Sequence, residues 1–311
     1  MMLKQVIDLF ELLDKPSANG EEIAEIFRLT GIKDVSVKKY TGSKGSTDFI
    51  SIRIPGKNGK CSGGSSPTLG IIGRLGGLGA RPELIGFVSD GDGALAALST
   101  GLKLAVMHKN GDVLDGDVIV ATHICPDAPT REHFPVPFMD SPVEISDMND
   151  SEVSEEMDAI LSIDTTKGNS IITNRGFAIS PTVKEGCILK VSDDIVQIMM
   201  RVTGQLAKVF PLSQQDITPY GNGLFHLNSI LQPSTATSSP VIGVAITTEV
   251  PVAGCATGAT HLIDVESAAR FAVEVAKDFG SSKCKFYDED EFNLMARLYG
   301  SMTKYQKGGQ Q

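Results

Sequence analysis

Apolar residues near the start of the chain recur every three or four positions, as on one face of a helix. This period predicts an amphipathic helix over about residues 2–14, with a stripe made by Leu3, Val6, Ile7, Phe10 and Leu13. Asn19 is expected to cap a second helix, with Glu22 as the reciprocal partner of a capping box. Residues 34–40 and 48–54 then read as two strands of a hairpin.

Farther along the chain, short apolar runs alternate with longer helical patterns. Strands are expected at 68–73, 117–122, 159–163 and 241–246, and helices at 92–109, 193–208 and 265–279. Strands without a polar face that alternate with helices are typical of a covered, mostly parallel sheet. We therefore predict that residues 1–311 form a single α/β domain, a mostly parallel sheet flanked by helices. The polar segment 128–156 is too long for a simple connection and is expected to be an inserted lid or an oligomer contact.

The overall charge narrows the classes of partner. The formal net charge of −10 argues against nucleic acid, whose phosphates require clustered Lys and Arg. No stretch reaches the roughly 18 apolar residues of a membrane span, and the first helix is not followed by a signal-peptide cleavage pattern. The five cysteines are scattered and form no C-x-x-C pair, which favours reduced thiols and a cytoplasmic protein.

Several polar residues follow the predicted strands or precede the predicted helices. In open α/β sheets ligands gather at the carboxyl ends of the strands. Aspartate and histidine at one edge are the ligands of zinc. The residues concerned are Asp90, Asp92, His123, Asp127, Asp164 and His261. Each also has a purely structural interpretation: a helix cap for Asp90 or Asp92, a turn residue for Asp164, a core histidine for His123 and a pre-helix hydrogen bond for His261.

The glycine-rich stretch "GRLGGLGARP" permits a different chemistry. Its glycines would let backbone amides face an anion, and Arg74 and Arg81 could bind a substrate carboxylate or phosphate through paired hydrogen bonds. The stretch is neither a Walker nor a dinucleotide motif. The alternative is a tight turn with a structural arginine.

The order of the segments resembles a known group of enzymes. "LFELLDKPSANGEEIAEIF", "SDGDGALAAL", "LSIDTT" and "GATHLIDVESAARFAVEVAKDF" follow one another as in co-catalytic zinc exopeptidases and deacylases, most closely the glutamyl and related aminopeptidases. The whole chain also resembles the uncharacterised family called domain of unknown function 1177. The resemblance implies a phosphorylase/hydrolase-like fold and a divalent metal, expected to be zinc. It also implies that Asp90 bridges two metals, that Asp164 and His261 bind one each, and that Asp92 lies near the substrate.

The chain also departs from that pattern. The ligand histidine expected after the first buried strand is replaced by Arg74 or a neighbouring glycine, and no paired glutamates occur near "THICPD". His123 or Asp127 could supply the missing base or ligand. Two functions follow as hypotheses. One is a metal-dependent hydrolase of amide bonds in small peptides or acylated amino acids; the other is a non-hydrolytic member that binds a small anionic metabolite or serves as an assembly subunit. Such relatives often assemble, so a homo-oligomer is expected.

Overall fold

Strands from most of the chain meet in one large sheet. The structure is a computed structural model that describes residues 2–307. Within these residues the large sheet has nine strands in the order β1-β2-β4-β3-β7-β11-β9-β10, with β8 also paired to β11, and β5 and β6 form a separate hairpin. The strands are β1 Val35–Gly42, β2 Gly45–Ile54, β3 Leu69–Gly73, β4 Val118–Ile124, β5 Thr130–Arg131, β6 Phe138–Met139, β7 Ala159–Thr165, β8 Gly176–Ile179, β9 Val183–Lys184, β10 Cys187–Ile188 and β11 Val241–Thr247.

Seven α-helices complete the described fold. They are α1 Met2–Leu13, α2 Gly20–Leu29, α3 Asp92–Lys109, α4 Ile145–Glu152, α5 Asp193–Thr203, α6 Leu262–Gly280 and α7 Glu289–Tyr299. The predicted α/β class and buried strands are confirmed, as are the predicted long helices except for the end of α5. No helix between residues 2 and 307 has both the length and the apolar character needed to cross a membrane.

The central strands β4, β3, β7 and β11 run parallel, whereas β2 and β8 pair antiparallel at their flanks. Ile71 of β3 lies opposite Val120 of β4 and Leu161 of β7. These three side chains face the main core together with the apolar faces of α1, α2, α3, α5 and α6. The next residue along β3, Ile72, faces the other side of the sheet, because successive strand side chains alternate.

The second face of the sheet is covered differently. Its core contains Phe210, Ile217, Ile230 and Leu231, which belong to the mostly irregular segment 205–235 and not to a long helix. Both faces of the sheet are therefore covered. The strands β3, β4, β7 and β11 have no exposed residue and need no polar face.

Two local predictions need correction. Helix α5 ends at Thr203 and not at 208, because Gly204 takes a left-handed conformation with φ +66° and terminates the helix. Asn19 does cap α2 by accepting the backbone N–H of Glu22. The Glu22 carboxylate, however, pairs with Lys15 at 2.9 Å instead of returning to the cap.

The segment 128–156 contains structure that the sequence pattern does not predict. It forms the β5–β6 hairpin and then α4, which ends at Glu152. All five cysteines are free thiols.

Candidate functional site

A cavity of about 740 Å³ opens where the parallel strands end. Its floor includes Asp90 and His123, which lie at the carboxyl ends of the central strands or beside them. Tyr220 and Gln232, from the irregular segment 205–235, line it as well, together with residues of α4. Carboxyl edges of parallel sheets are where α/β proteins bind ligands, and this volume suits a small molecule.

Asp90 lies in a short 3-10 turn, Ser89–Gly91, that leads directly into α3. The turn is held by the loop before α6. The backbone N–H of Ser89 donates to the carbonyl of Thr257 at 2.7 Å, and that of Asp90 donates to the carbonyl of Cys255 at 3.2 Å. The side chain of Asp90 is 5% exposed and faces the cavity.

A glycine allows α3 to begin so close to the sheet. An added Cβ on Gly93 would lie 2.5 Å from the carbonyl oxygen of Ile163 and 2.8 Å from that of Arg74. The first turn of α3 therefore packs directly on the ends of β3 and β7. This close approach brings Asp90 near the end of β7, where Asp164 lies.

Asp164 is fixed by hydrogen bonds to both carboxylate oxygens. The hydroxyl of Ser229 donates to Oδ2 at 2.7 Å, and the backbone N–H of Thr165 donates to Oδ1 at 2.7 Å. The residue is 1% exposed. Ser229 itself lines the cavity.

The two carboxyl groups are held in an environment that disfavours their charge. Burial raises the pKa of Asp90 well above its ordinary value, and the negative charge of Asp164 raises it further. Burial raises the pKa of Asp164 to about 7, although hydrogen bonds from Ser229 and Thr165 and the charge of Arg74 oppose the shift. A perturbed acid that lines a cavity, as Asp90 does, is typical of functional sites.

The basic residues near this pair are already neutralised by other acids. Arg74 lies 2.8 Å from Glu152, and neither side chain is exposed. Lys167 forms a buried ion pair with Asp92 and also donates to the carbonyl of Ala259 at 2.7 Å. Among residues 2–307 neither Asp90 nor Asp164 therefore forms an ion pair, although the charge of Arg74 acts on Asp164.

His123 belongs to the same buried network as Arg74. Its Nδ1 lies 2.7 Å from Glu152, and its Nε2 accepts the backbone N–H of Gly76 at 3.1 Å. Since Nε2 is an acceptor, the proton of the neutral ring is on Nδ1 and is donated to Glu152. Both ring nitrogens have partners, so His123 fixes the loop after β3 in this geometry.

Glu152 is one of the residues that the sequence analysis missed, together with Ser229, Tyr220 and Arg131. It ends α4 and joins Arg74 to His123 from the segment that was expected to be a lid or contact. The sequence carries no signal for it, because "SEVSEE" offers three chemically identical glutamates and only the fold selects one.

Asp164 adjoins the cavity through Ser229 without lining it, and the remaining predicted residues lie outside the cavity. Asp127 is exposed, and Asp92 is buried against Lys167. Arg81 donates to the carbonyls of Pro126 and Asp14 at 2.5 and 2.6 Å, which ties the end of α1 to the loop after β4. Neither Arg81 nor Arg74 lines the cavity.

His261 stands apart from the two aspartates with which it was grouped. Its side chain is 55% exposed, precedes α6 and lies 3.5 Å from Asp264. Within residues 2–307, no three side chains from His, Cys, Asp and Glu are arranged to hold a metal ion. The structure thus brings together Asp90 and Asp164 but not His261.

Comparison with known proteins identifies the family. The model of the family described as "Protein of unknown function (DUF1177)" matches residues 38–309, and the chain belongs to that family. No curated protein sequence matches it. One similar solved structure is "Bottromycin maturation enzyme BotP in complex with Mn", with 13% identity and a TM-score of 0.49 over 88% of this chain and 70% of that chain. Residue roles do not transfer at this identity.

Proposed function

We propose that the cavity binds a divalent cation between Asp90 and Asp164, and that the protein hydrolyses amide bonds in small peptides or acylated amino acids. The observation that supports this proposal most directly is the pair of buried carboxyl groups, which form no ion pair among residues 2–307 and whose pKa values are both raised by burial. Buried charges in proteins are paired or coordinate metals, because an isolated ion loses its hydration. A divalent cation would neutralise both carboxylates at once.

The donor atoms favour one kind of cation. Asp90 and Asp164 offer only oxygen, which suits hard ions such as Mg²⁺ and Mn²⁺, and these ions are often held by one or two carboxylates with water or substrate completing the shell. A catalytic zinc ion usually has three protein ligands. His261 would have to leave the surface to become the third. We therefore place the cation on the two aspartates alone.

The chain's own residues would orient these ligands. Ser229 and the Thr165 amide hold the Asp164 carboxylate in one direction. The backbone bond from Asp90 to Cys255 fixes the turn that carries the other carboxylate. A bound divalent cation would polarise an amide carbonyl and lower the pKa of a coordinated water.

Among the residues predicted to transfer protons, His123 is the one that lines the cavity. To act as a base, its Nε2 would have to release the Gly76 amide. The alternative function, binding of an anion at Arg74 or Arg81, has no supporting contact, because both guanidinium groups already have protein acceptors.

Manganese binding tests the cation site. We expect the purified protein to bind about one Mn²⁺, as measured by titration calorimetry, and Asp90→Asn and Asp164→Asn to lose this binding. Asp127→Asn is the matched control, because it removes an exposed acid that lies outside the cavity. His261→Ala should bind Mn²⁺ as the native protein does. If it does not, His261 is a third metal ligand and the two-aspartate site is wrong.

Hydrolysis is tested separately on the manganese-loaded protein. Amino-acid amides, dipeptides and acyl-amino acids would be incubated with native protein and with Asp164→Asn, and the products followed by mass spectrometry. Release of amino acids by the native protein only is the expected result. If neither protein cleaves any of these substrates, the proposed hydrolase activity is wrong even where manganese binds.

A further inference from the structure

The cavity is lined by a positively charged side chain as well as by Asp90. Arg131, in β5, lines it and is exposed. Among residues 2–307 no acidic side chain lies within ion-pair distance of its guanidinium group. Asp140, whose pKa Arg131 helps to lower, is already paired with Lys44 at 2.8 Å. Arg131 differs in this respect from Arg74, which is paired with Glu152, and from Arg81, which donates to two backbone carbonyls.

The position of Arg131 is set by a hairpin that packs against the acidic site. Arg131 pairs with Phe138 across β5 and β6, and its guanidinium carbon lies 6.0 Å from the centre of the Phe138 ring. The next residue, Met139, donates its backbone N–H to the sulfur of Cys255 at 3.4 Å. The carbonyl of Cys255 in turn accepts the N–H of Asp90. The hairpin and the Asp90 turn are thus held by the same residue.

Tyr220 lines the cavity and is influenced by charges of both signs. Burial raises the pKa of Tyr220, Asp164 and Asp216 raise it further, and Arg74 and Arg131 lower it. Its phenol is therefore within electrostatic reach of both Asp164 and Arg131. A ligand in this cavity can meet both Asp90 and Arg131, because both line it together with Tyr220.

We propose that Arg131 binds the terminal carboxylate of a small peptide or acyl-amino acid while the scissile amide lies at Asp90 and Asp164. This inference rests on the proposed function and adds its substrate class, molecules with a free carboxylate. A guanidinium group binds a carboxylate through two parallel hydrogen bonds, which a terminal amide cannot reproduce. A cavity of about 740 Å³ accommodates a molecule of dipeptide size.

The other charges at the cavity strengthen the selection. Glu144 and Asp150 also line it, and both are exposed acids. Glu144 accepts a backbone N–H at the start of α4, so its carboxylate has a structural role. Glu144 and Asp150 repel a ligand carboxylate and Arg131 attracts it, so charge favours the orientation in which the ligand carboxylate lies beside Arg131.

The test compares the dipeptide Leu-Ala with its terminal amide by titration calorimetry. The titrations are made in chelator, where the proposed reaction is off. We expect the native protein to bind the acid about tenfold more tightly than the amide. Arg131→Gln should weaken binding of the acid to the level of the amide, and Arg131→Lys should keep part of the preference. Arg175→Gln is the control, since Arg175 is exposed, forms no ion pair within the described residues 2–307 and lines a different cavity.

Equal binding of acid and amide to the native protein would overturn the inference. So would an unchanged preference in Arg131→Gln, or no binding of either ligand. Because these titrations need neither metal nor turnover, the two proposals fail separately. If Arg131 gives a carboxylate preference but no amide is cleaved, the proposed hydrolase activity is wrong. If amides are cleaved without that preference, the proposed role of Arg131 is wrong.

Discussion

Arg74 and Glu152 form an ion pair closed to solvent, with Nη1 of the arginine 2.8 Å from Oε2 of the glutamate and neither side chain exposed. The other carboxylate oxygen of Glu152, Oε1, lies 2.7 Å from Nδ1 of His123. One residue of α4 thus neutralises the arginine after β3 and orients the histidine of β4. The network joins α4, other residues of which line the cavity, to His123 in the cavity floor.

Glu152→Gln should strongly destabilise the protein, because it leaves the buried Arg74 without a counter-charge. We expect the free energy of unfolding to fall by about 3–5 kcal/mol. The chain has no tryptophan, so urea unfolding followed by circular dichroism is the suitable measurement. Glu156→Gln is the control: it breaks an exposed pair with Arg53, for which a loss of less than about 1 kcal/mol is expected. Equal losses in the two variants would contradict a structural role for Glu152.

Gly93→Ala should lower stability, because the new methyl group meets the backbone carbonyl oxygens of Ile163 and Arg74. We expect a loss of about 1–3 kcal/mol. The first turn of α3 must also shift, so Mn²⁺ binding at Asp90 should weaken by calorimetry. Gly168→Ala makes the same chemical change where no atom lies within 4 Å, and it should leave both properties nearly unchanged. A stable Gly93→Ala variant with native manganese affinity would refute the close approach.

The metal-free protein should become less stable as the pH rises through the acidic and neutral range. Asp164 has an ordinary pKa of 3.8 and a folded pKa of about 7. Between these values the folded state holds more protons than the unfolded state, so the free energy of unfolding falls with increasing pH. The contribution is complete below about pH 4 and is lost by about pH 7, on the order of a few kcal/mol.

Asp164→Asn should reduce this pH dependence, measured in chelator by urea unfolding at several pH values. It should not abolish it, because the pKa of Asp90 is raised in the same direction. Asp127→Asn, which removes an exposed acid, is expected to behave like the native protein. The same slope in native protein and Asp164→Asn would show that Asp164 ionises normally.

The cysteines should differ in their reactivity. Burial raises the pKa of Cys125 and of Cys284 to about 12, which leaves little thiolate at pH 8, whereas Cys61 is exposed. Brief treatment with iodoacetamide should modify Cys61 well before the other two, as seen by peptide mass spectrometry. Unfolding in urea should remove the difference. Rapid labelling of Cys125 in the native protein would mean that the cavity wall opens.

The fold was largely predictable from the sequence. Unbroken apolar runs such as 68–73 and 241–246 predict buried strands, because a chain segment without a polar face has to be covered on both sides. The same reasoning places Asp90 and Asp164 at one edge of the sheet, where the structure brings them near each other. The prediction that α5 continues past Gly204 is wrong for a local reason: Gly204 takes a left-handed conformation, which the hydrophobic period does not reveal.

The charges of the site depend on contacts between distant parts of the chain. Arg74 meets Glu152 and Asp92 meets Lys167 across more than 70 residues, so no local pattern could show that both basic groups are already neutralised. Sequence order likewise groups His261 with the two aspartates, although the start of α6 leaves its side chain at the surface.

The sequence by itself determined the α/β class, the buried strands and the two acids at their ends, since these follow from hydrophobic period and strand direction. The tertiary structure alone decided which acids have a counter-charge. The pairing depends on which side chains the fold brings within a few ångströms of one another in an interior without water. There an unpaired charge raises the free energy of the folded state, whereas a paired charge is compensated.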